Sequence, residues 1–156
     1  MTDAALAALG RVPSGLFILT VGQGARATGM LASWVQQCSF DPPRVSAAFA
    51  KDRWVLDWLT DGAAFAVNVL PEGEKKLVAH FGKGFGPDES AFEGVEVVRE
   101  GDAAPMLAAA LAHLTCRVAH RYDAGDHILV IGTVEDGAVR GDGRPATHVR
   151  KSGKNY

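Results

Sequence analysis

Histidine is the side chain best suited to bind a metal or to move a proton near neutral pH, and three of the five histidines recur at intervals of seven residues. His113, His120 and His127 could together suggest a metal site. Seven is an odd number, so His113 and His120 would face opposite sides of one β-strand, and His127 lies beyond the turn that follows. The spacing therefore argues against a shared metal site. His127 stands in Gly125-Asp-His127 at the start of a predicted hairpin, where the histidine pattern alone indicates a plain surface histidine.

The other nucleophilic and acidic residues form no recognisable catalytic arrangement. Ser33, Ser39 and the two cysteines have no base at a spacing that would pair with them, and Asp and Glu residues do not form a dyad. Cys38 and Cys116 are predicted to be small buried hydrophobic residues. The sequence therefore gives no sign of nucleophilic or carboxylate-dyad catalysis.

A second candidate for function is the segment of residues 29–43, which begins as an apolar strand and continues into small and polar residues. It ends at Asp41-Pro-Pro43, which neither a helix nor a central strand can cross. A strand that gives way to such a loop presents backbone N–H and C=O groups, which suit a flat ligand with a polar edge. The alternative is a barrel strand followed by a proline turn, and the pattern alone favours neither.

Two cationic side chains stand in Ala50-Lys-Asp-Arg53, where a predicted strand leads into a predicted helix. Lys51 and Arg53, beside the free N–H groups of a helix N-terminus, would suit a phosphate group. The alternative is a solvated helix cap in which Asp52 occupies the free N–H groups and repels an anion. The segment is therefore a candidate phosphate site on the strength of its cations.

Gly22-Gln-Gly24 follows a strand and imitates the glycine-rich fingerprint of dinucleotide-binding domains. A true fingerprint opens a helix whose N-terminus meets the pyrophosphate, whereas here a strand pattern follows. We therefore predict a hairpin turn at this position and no Rossmann domain.

Composition is that of a single globular domain over residues 1–156. Hydrophobic residues make up 47% and charged residues 22%, and the net charge is −2, with no basic run before the last seven residues. These values argue against a nucleic-acid partner, and no apolar run is long enough to cross a bilayer. The N-terminus lacks the basic region of a signal peptide, and the two cysteines form no Cys-x-x-Cys motif. Together these features predict a cytoplasmic protein without a membrane partner.

Hydrophobic periodicity and turn residues divide the chain into strands and helices. Strands are predicted over residues 16–21, 26–35, 45–50, 65–70, 95–98, 114–122 and 128–134, and helices over residues 1–10, 53–61 and 72–81. The last two strands form a long hairpin, and residues 82–90 are predicted to be a mobile surface loop. Because hairpins join most strands, the predicted fold is mainly β, an antiparallel barrel with flanking helices.

Residues 29–43, Gly125-Asp-His127 and the basic tail that ends in Tyr156 together resemble the flavin reductase-like domain family, whose fold is the FMN-binding split barrel. The resemblance runs from about residue 9 to the C-terminus and looks closest to the flavin reductase module of cyanobacterial flavodiiron proteins. It implies that residues 29–43 hold a flavin ring and ribityl chain and that residues 50–53 meet a phosphate. The residues implied to bind the cofactor are Leu31, Ala32, Ser33, Trp34, Gln37, Ala50, Lys51, Arg53 and Tyr156, and His127 is the implied catalytic residue.

The same resemblance implies a homodimeric NAD(P)H:flavin oxidoreductase. A hydride would pass from C4 of NADH or NADPH to N5 of FMN, with FAD as the alternative flavin. Two other functions stay open: a flavin-bound electron carrier or ferric reductase that serves a downstream acceptor, and a non-catalytic flavin-binding module. The choice of flavin and of nicotinamide donor is also left open at this stage.

Overall fold

The computed structural model describes residues 1–156, and strands account for most of the regular structure. The strands are β1 Ser14–Gly15, β2 Phe17–Gln23, β3 Arg26–Ala32, β4 Val35–Phe40, β5 Pro43–Ala50, β6 Ala64–Val69, β7 Val97–Val98, β8 Met106–Leu107, β9 Ala112–Asp123, β10 His127–Val139 and β11 Thr147–His148. The α-helices are α1 Asp3–Gly10 and α2 Lys75–Gly82, and a short 3-10 helix covers Trp54–Asp57. Neither α-helix has the length and apolar sequence that a membrane crossing needs.

Seven strands form one antiparallel sheet in the order β3-β2-β6-β9-β10-β5-β4. β3 and β4 stand at opposite ends of this order, yet only Ser33 and Trp34 separate them in the chain. Such a short link reaches only about 10 Å, so the sheet must curl until its two edges approach each other. The two edges are not hydrogen-bonded as strands, so the barrel is closed elsewhere and split between β3 and β4. This architecture is the split barrel with flanking helices that the sequence predicts.

The main hydrophobic core fills the barrel. Along β5, Val45, Ala47 and Phe49 are buried and the residues between them are half-buried, because successive side chains of a strand point to opposite faces. They pack with apolar residues of β2, β6, β9 and β10. Leu59, fully buried just after the 3-10 helix, belongs to the same cluster. The interior of the barrel is therefore filled by side chains, and room for a ligand has to be sought at its surface.

α2 packs against β3 and belongs to a second hydrophobic cluster with Ile18 of β2. Phe81 of α2 lies so close to Gly29 of β3 that a Cβ atom built on Gly29 would stand 2.6 Å from the phenyl ring. Only glycine allows this approach of helix to strand. The glycine in β3 therefore sets how closely α2 can lie to the open edge of the barrel.

The prediction for residues 29–43 was wrong in its second half. β3 ends at Ala32, three residues earlier than predicted, and Val35–Phe40 forms the additional strand β4 where a loop was expected. β4 pairs only with β5 and is an edge strand, so polar residues such as Gln36 can occupy it without disturbing a core. Cys38 is exposed on this strand, and its predicted burial was also wrong.

The helix predicted over residues 53–61 was wrong as well, because only the four residues Trp54–Asp57 form a 3-10 helix. Asp52 does not cap this helix: the residue at the N-cap position is Arg53, and no side chain bonds to the first turn. The segment is rich in residues of modest helix propensity, and the edge-to-face contact of Trp54 with Trp58 anchors it by packing. There is therefore no α-helix N-terminus here to receive a phosphate.

Several other predicted elements are present, although the strand predicted over residues 95–98 is reduced to Val97–Val98 and the short strands β1, β8 and β11 were not predicted. Gly24 and Ala25 form a hairpin turn between β2 and β3, so the exclusion of a Rossmann domain is confirmed. β9 and β10 form the predicted long hairpin. The loop predicted over residues 82–90 begins one residue later, because Gly82 still belongs to α2. The Trp54 indole N–H donates to the Phe85 carbonyl at 2.9 Å and ties this loop to the 3-10 helix.

Candidate functional site

A cavity of about 480 Å³ lies at the split of the barrel, where the end of β3, the end of β5 and the C-terminal turn of α2 meet. Its walls are mostly hydrophobic. It is lined by Leu16, Leu19, Met30, Leu31, Ala32, Ser33, Trp34, Ala48, Phe49, Ala50, Arg53, Val78, Phe81, Gly82, Lys83, Gly84, His148 and Tyr156. Of the residues implied by the sequence, Leu31, Ala32, Ser33, Trp34, Ala50, Arg53 and Tyr156 therefore share one cavity.

Backbone groups of β3 supply the polar edge of this cavity. β3 pairs with β2 on one side only, so alternate residues direct both their N–H and their C=O groups away from the sheet. Beyond β3, Ser33 is 7% exposed, and the Trp34 carbonyl accepts a bond of 3.1 Å from the N–H of Ala48. An apolar slot with unpaired backbone donors and acceptors along one side suits a flat ring with a polar edge.

Arg53 is the cation that reaches the cavity from the strand end of β5. It lines the cavity and forms no ion pair with any acidic residue of the chain. Lys51 differs, because its Nζ lies 2.6 Å from Oδ2 of Asp123 and the residue is absent from the cavity wall. Gln37 also lies outside the cavity and donates to the Ser39 carbonyl at 3.3 Å. The structure thus separates Arg53 from Lys51 and Gln37.

His127 stands beside the cavity in a group of aromatic side chains. Its ring centroid lies 4.9 Å from that of Trp34, and its Nε2 is 2.5 Å from the hydroxyl of Tyr156. The Tyr156 ring in turn lies 5.1 Å from Trp34. The guanidinium of Arg150 sits 4.9 Å from the centre of the Trp34 ring, which is a cation–π contact. His127 therefore touches the cavity through two of its lining residues.

Asp126 completes this group on the solvent side. Its Oδ1 is 2.7 Å from Nδ1 of His127, and this hydrogen bond lowers the pKa of the Asp126 carboxyl. Sequence reasoning singled out the Gly-Asp-His motif but gave Asp126 no role. Its position directly before His127 was the signal that could have found it.

The C-terminal tail reaches the cavity because α1 holds it. The N–H of Arg150 donates to the Gly10 carbonyl at 3.0 Å, and the N–H of Gly153 donates to the Leu6 carbonyl at 2.6 Å. Backbone of the tail lies so close to Gly10 that a Cβ there would meet Ser152 at 2.6 Å. These bonds hold the segment up to Gly153, and Tyr156, three residues further on, lines the cavity.

The cavity wall formed by α2 and the following turn was missed from sequence. Val78, Phe81 and Lys83 line the cavity from this side, and His148 lines it from β11. The apolar face of α2 was visible as a helical pattern, but which surface it covers depends on the packing of α2 against β3. That packing is not encoded in local periodicity.

His113, His120 and Cys116 lie on β9 and do not line the cavity. His113 is buried and His120 is exposed on the same strand, and no group of three potential ligands is placed to hold a metal ion. Burial raises the pKa of the Cys116 thiol to about 12, so this cysteine is an unreactive core residue, as predicted. The chemistry of the chain is therefore concentrated at the split of the barrel.

Comparison of the sequence with protein-family models gives a match to the flavin reductase like domain over residues 9–155. Diflavin flavoprotein A 1 of Synechocystis sp. is 41% identical over 151 residues, which cover 96% of this chain and 26% of that protein. A diflavin flavoprotein A relative from Nostoc sp. is 45% identical over 151 residues, which again cover 96% of this chain and 26% of that protein. The chain therefore spans about a quarter of the length of the curated relatives it matches.

Comparison of the fold with solved structures also identifies a flavin-related enzyme. The Streptomyces globisporus NADH:FAD oxidoreductase SgcE6 superimposes with a TM-score of 0.83 at 32% identity, covering 92% of this chain and 85% of that protein. A second structure of SgcE6, in complex with NAD and FAD fragments, superimposes with a TM-score of 0.79. Together with the split barrel and its cavity, these matches show that the chain belongs to the flavin reductase-like domain family.

Proposed function

We propose that this protein is an NAD(P)H-dependent flavin reductase that binds its flavin in the cavity at the split of the barrel. The observation that carries the proposal is the cavity itself: a mostly apolar slot with free backbone groups of β3 along one side and Arg53 at its rim. Membership of the flavin reductase-like domain family supports it, as does the similarity to an enzyme named as an NADH:FAD oxidoreductase.

The residues present fit a flavin. The ring would contact the segment from Leu31 to Trp34, where unpaired backbone N–H groups can meet ring oxygens and nitrogens. Val78 and Phe81 of α2 line the same cavity and would give the ring apolar contacts. When bound, the flavin supplies the redox chemistry by accepting at N5 the hydride that leaves C4 of NADH or NADPH.

Arg53 is the residue we assign to the phosphate of the flavin. It reaches the cavity without a competing acidic partner, and a guanidinium binds phosphate oxygens with two parallel hydrogen bonds. Ala50 lines the cavity beside it and allows close approach of the phosphate, because its side chain is small. Lys51 would act at longer range, since Asp123 already holds its ammonium group.

The protein's contribution to the reaction would be to hold two flat rings against each other in the cavity. Orienting the two reactants turns an encounter in solution into a nearly unimolecular step. Hydride transfer to a flavin does not require a general base from the protein. His127 would position the nicotinamide or the flavin through its contacts with Trp34 and Tyr156.

We propose FMN as the flavin, with FAD as the alternative, and either NADH or NADPH as the donor. The structurally similar enzyme SgcE6 is named an NADH:FAD oxidoreductase, which supports a flavin and a nicotinamide nucleotide as the two ligands. The proposal also includes a homodimer. Its support is the outer face of β10, where Leu129 and Ile131 belong to none of the hydrophobic clusters of the chain.

The decisive experiment is an anaerobic titration of the purified protein, supplied with FMN or FAD, with NADH and then with NADPH. Loss of the yellow flavin absorption within seconds is the expected result, and the faster donor is the physiological candidate. A protein that binds flavin but never loses this absorption would contradict the reductase function. It would leave an electron carrier fed by another partner, or a flavin-binding module.

A further inference from the structure

A second cavity, of about 570 Å³, adjoins the one at the split of the barrel. It lies between the end of β5, the 3-10 helix and the loop that follows α2. The two cavities share four lining residues, which are Ala50, Arg53, Gly84 and Tyr156. Three other grooves of the barrel share no lining residue with the first cavity. A ligand too long for the first cavity can therefore continue into the second.

Arg53 stands on the border between the two cavities. Because it lines both, a phosphate held by its guanidinium would have the first cavity on one side and the second cavity on the other. In a dinucleotide, phosphates separate the redox-active ring from an adenosine. With the ring in the first cavity, the adenosine and its ribose are therefore the groups that would reach the second.

Two carboxylates line the second cavity without a cation to neutralise them. They belong to Asp52 and Glu89, and neither side chain forms an ion pair. Asp52 has no capping role either, because no side chain bonds to the first turn of the 3-10 helix. A Cβ atom built on Gly86 would stand 3.6 Å from Oε1 of Glu89, so this carboxylate lies close to the glycine backbone of the cavity wall.

The charges around the second cavity suit a hydroxyl group better than a second anion. Arg53 is the only cation that lines it, and the proposed function already assigns this residue to the flavin phosphate. Lys83 lines the first cavity only, and the Lys51 ammonium is held by Asp123. A carboxylate accepts hydrogen bonds from ribose hydroxyls. It repels a phosphate on the same ribose, which carries a charge of about −1.5 to −2 at pH 7.

We propose that the second cavity receives the adenosine ribose of a dinucleotide, and that Asp52 and Glu89 accept its free hydroxyls and repel a 2′-phosphate. The nicotinamide donor selected in this way is NADH, because NADPH differs from it only by that phosphate. FAD carries the same adenosine ribose and is the other source of this group. The donor preference rests on the proposed function, whereas the discrimination between the two riboses is a binding property of the chain.

The first test measures binding without any redox reaction. ADP-ribose and its 2′-phosphorylated form are titrated calorimetrically into the flavin-free and the FMN-loaded protein. We expect ADP-ribose to bind about tenfold more tightly, since the phosphate would stand beside two carboxylates that lack a cation. Equal affinities for the two probes would overturn the proposal, and so would a failure of ADP-ribose to bind.

Amide variants test whether the two carboxylates cause this discrimination. Asp52→Asn combined with Glu89→Gln keeps the size of both exposed side chains and removes their charge, so the affinity ratio should fall below about threefold. Asp88→Asn is the matched control, because Asp88 is exposed next to Glu89 but lines neither cavity. It should keep the wild-type ratio. A double variant with the wild-type ratio would refute the role of the carboxylates.

Ionic strength separates charge repulsion from steric exclusion of the phosphate. Raising the salt concentration from about 0.1 M to about 1 M shortens the screening length from about 10 Å to about 3 Å. The preference for ADP-ribose over its 2′-phosphorylated form should therefore shrink by about threefold or more. A preference that does not change with salt would contradict repulsion by Asp52 and Glu89.

Loading the protein with FAD distinguishes the two sources of the ribose. ADP-ribose should bind with similar affinity to the FMN-loaded and the FAD-loaded protein if the cavity serves the nicotinamide donor. Affinity at least about tenfold weaker in the FAD-loaded protein would assign the cavity to the adenosine of FAD and overturn the selection of NADH.

Turnover then tests the consequence for the donor. In the wild type, kcat/KM should be about tenfold higher with NADH than with NADPH. The double amide variant should reduce this ratio below about threefold by lowering KM for NADPH, with kcat for NADH changed less than about threefold. Equal use of the two donors, or a preference for NADPH, would overturn the proposal. Absence of oxidation of either donor would refute the proposed function and leave the ribose discrimination to be judged by the titrations.

Discussion

Single residues differ sharply in how far their neighbours determine what they can do. Lys51 and Arg53 are two positions apart, yet one is neutralised by Asp123 and the other stays unpaired at the cavity. His113 and His127 differ in the same way, since one is buried beside Arg140 and the other reaches the cavity group. Residue type alone does not distinguish these pairs, and two predictions follow from the difference.

Arg53→Ala should weaken FMN binding at least tenfold, because a charge-assisted hydrogen bond to phosphate contributes about 1.5–3 kcal/mol. Lys51→Ala should weaken it less than about threefold, since Asp123 already holds the lysine. The measurement is the quenching of flavin fluorescence on binding. Riboflavin, which lacks the phosphate, should bind equally to the Arg53 variant and to the wild type. An equal loss for both flavins would show that Arg53 does not meet the phosphate.

The stability of the protein should fall on acidification below pH 6.5 because of His113. Burial and the nearby Arg140 lower the pKa of this imidazole from its ordinary value of 6.5. The unfolded chain therefore takes up the proton at a higher pH than the folded protein, and the free energy of unfolding decreases as the pH falls below 6.5. The slope is limited to about 1.4 kcal/mol per pH unit.

Urea unfolding at pH 7.5 and 5.5 measures this effect. His113→Gln should be less stable than the wild type at pH 7.5 because it disturbs a buried site, but it should lose less stability between the two pH values. For each protein, the free energy of unfolding at pH 5.5 is subtracted from that at pH 7.5. Comparing these two values between the variant and the wild type removes the pH-independent destabilisation caused by the substitution. A variant with the same pH dependence as the wild type would exclude His113 as the cause.

At the scale of elements, the cavity exists because α2 can lie close to an edge strand. Gly29 in β3 allows the ring of Phe81 to approach the backbone, and this contact sets the distance between the two walls of the cavity. Residues 53–61 show the opposite case, in which a pattern typical of a helix gives only the 3-10 turn Trp54–Asp57 because packing of tryptophans replaces helix propensity. Element type is thus decided partly by what lies next to the element.

Gly29→Ala should destabilise the protein by about 1–3 kcal/mol and weaken flavin binding, since the added methyl group would push α2 from β3. Gly82→Ala is the matched control on the same interface, because its Cβ would meet Leu31 at an ordinary contact distance of 3.7 Å. It should be neutral or slightly stabilising in urea unfolding. Phe81→Leu should partly restore stability when combined with Gly29→Ala. Equal stability of the two glycine variants would contradict the close-approach argument.

At the scale of the whole molecule, the outer face of β10 is the feature that a single chain leaves without a partner. Leu129 and Ile131 lie opposite Ala48 and Ser46 of β5, and Tyr122 beside Leu129 is 55% exposed. A central pair of strands with an apolar outer face is usually covered by another layer. In the proposed homodimer a second copy would supply this layer.

Sedimentation equilibrium at micromolar concentration should give twice the mass of one chain. Ile131→Glu should shift the protein toward the monomer, because a charge on the covered face would have to be buried without a partner. Val139→Glu is the control, since Val139 is 81% exposed near the far end of β10. A wild-type protein that sediments as a monomer would contradict the homodimer, and the function of the cavity would have to be explained by one chain.

The sequence by itself determined the antiparallel hairpins and the mainly β fold class. Alternation of side chains and glycine turns are local properties, so β9, β10 and the turn between β2 and β3 could be predicted from their own residues. The segment from Leu31 to Trp34 was a candidate only through the family resemblance, because its pattern alone fitted a barrel strand and a proline turn equally well. Edge strand β4 was missed because an exposed edge carries too few apolar residues to show a strand pattern.

Only the tertiary structure decided how these pieces meet. Closure of the barrel brings the Ser33–Trp34 link to the end of β5, and docking of the tail on α1 brings Tyr156 to His127, 29 residues away in the chain. The wall formed by α2 and the separation of Arg53 from Lys51 depend on the same long-range packing. Such contacts are set by the order and register of strands far apart in sequence, which local propensity does not encode.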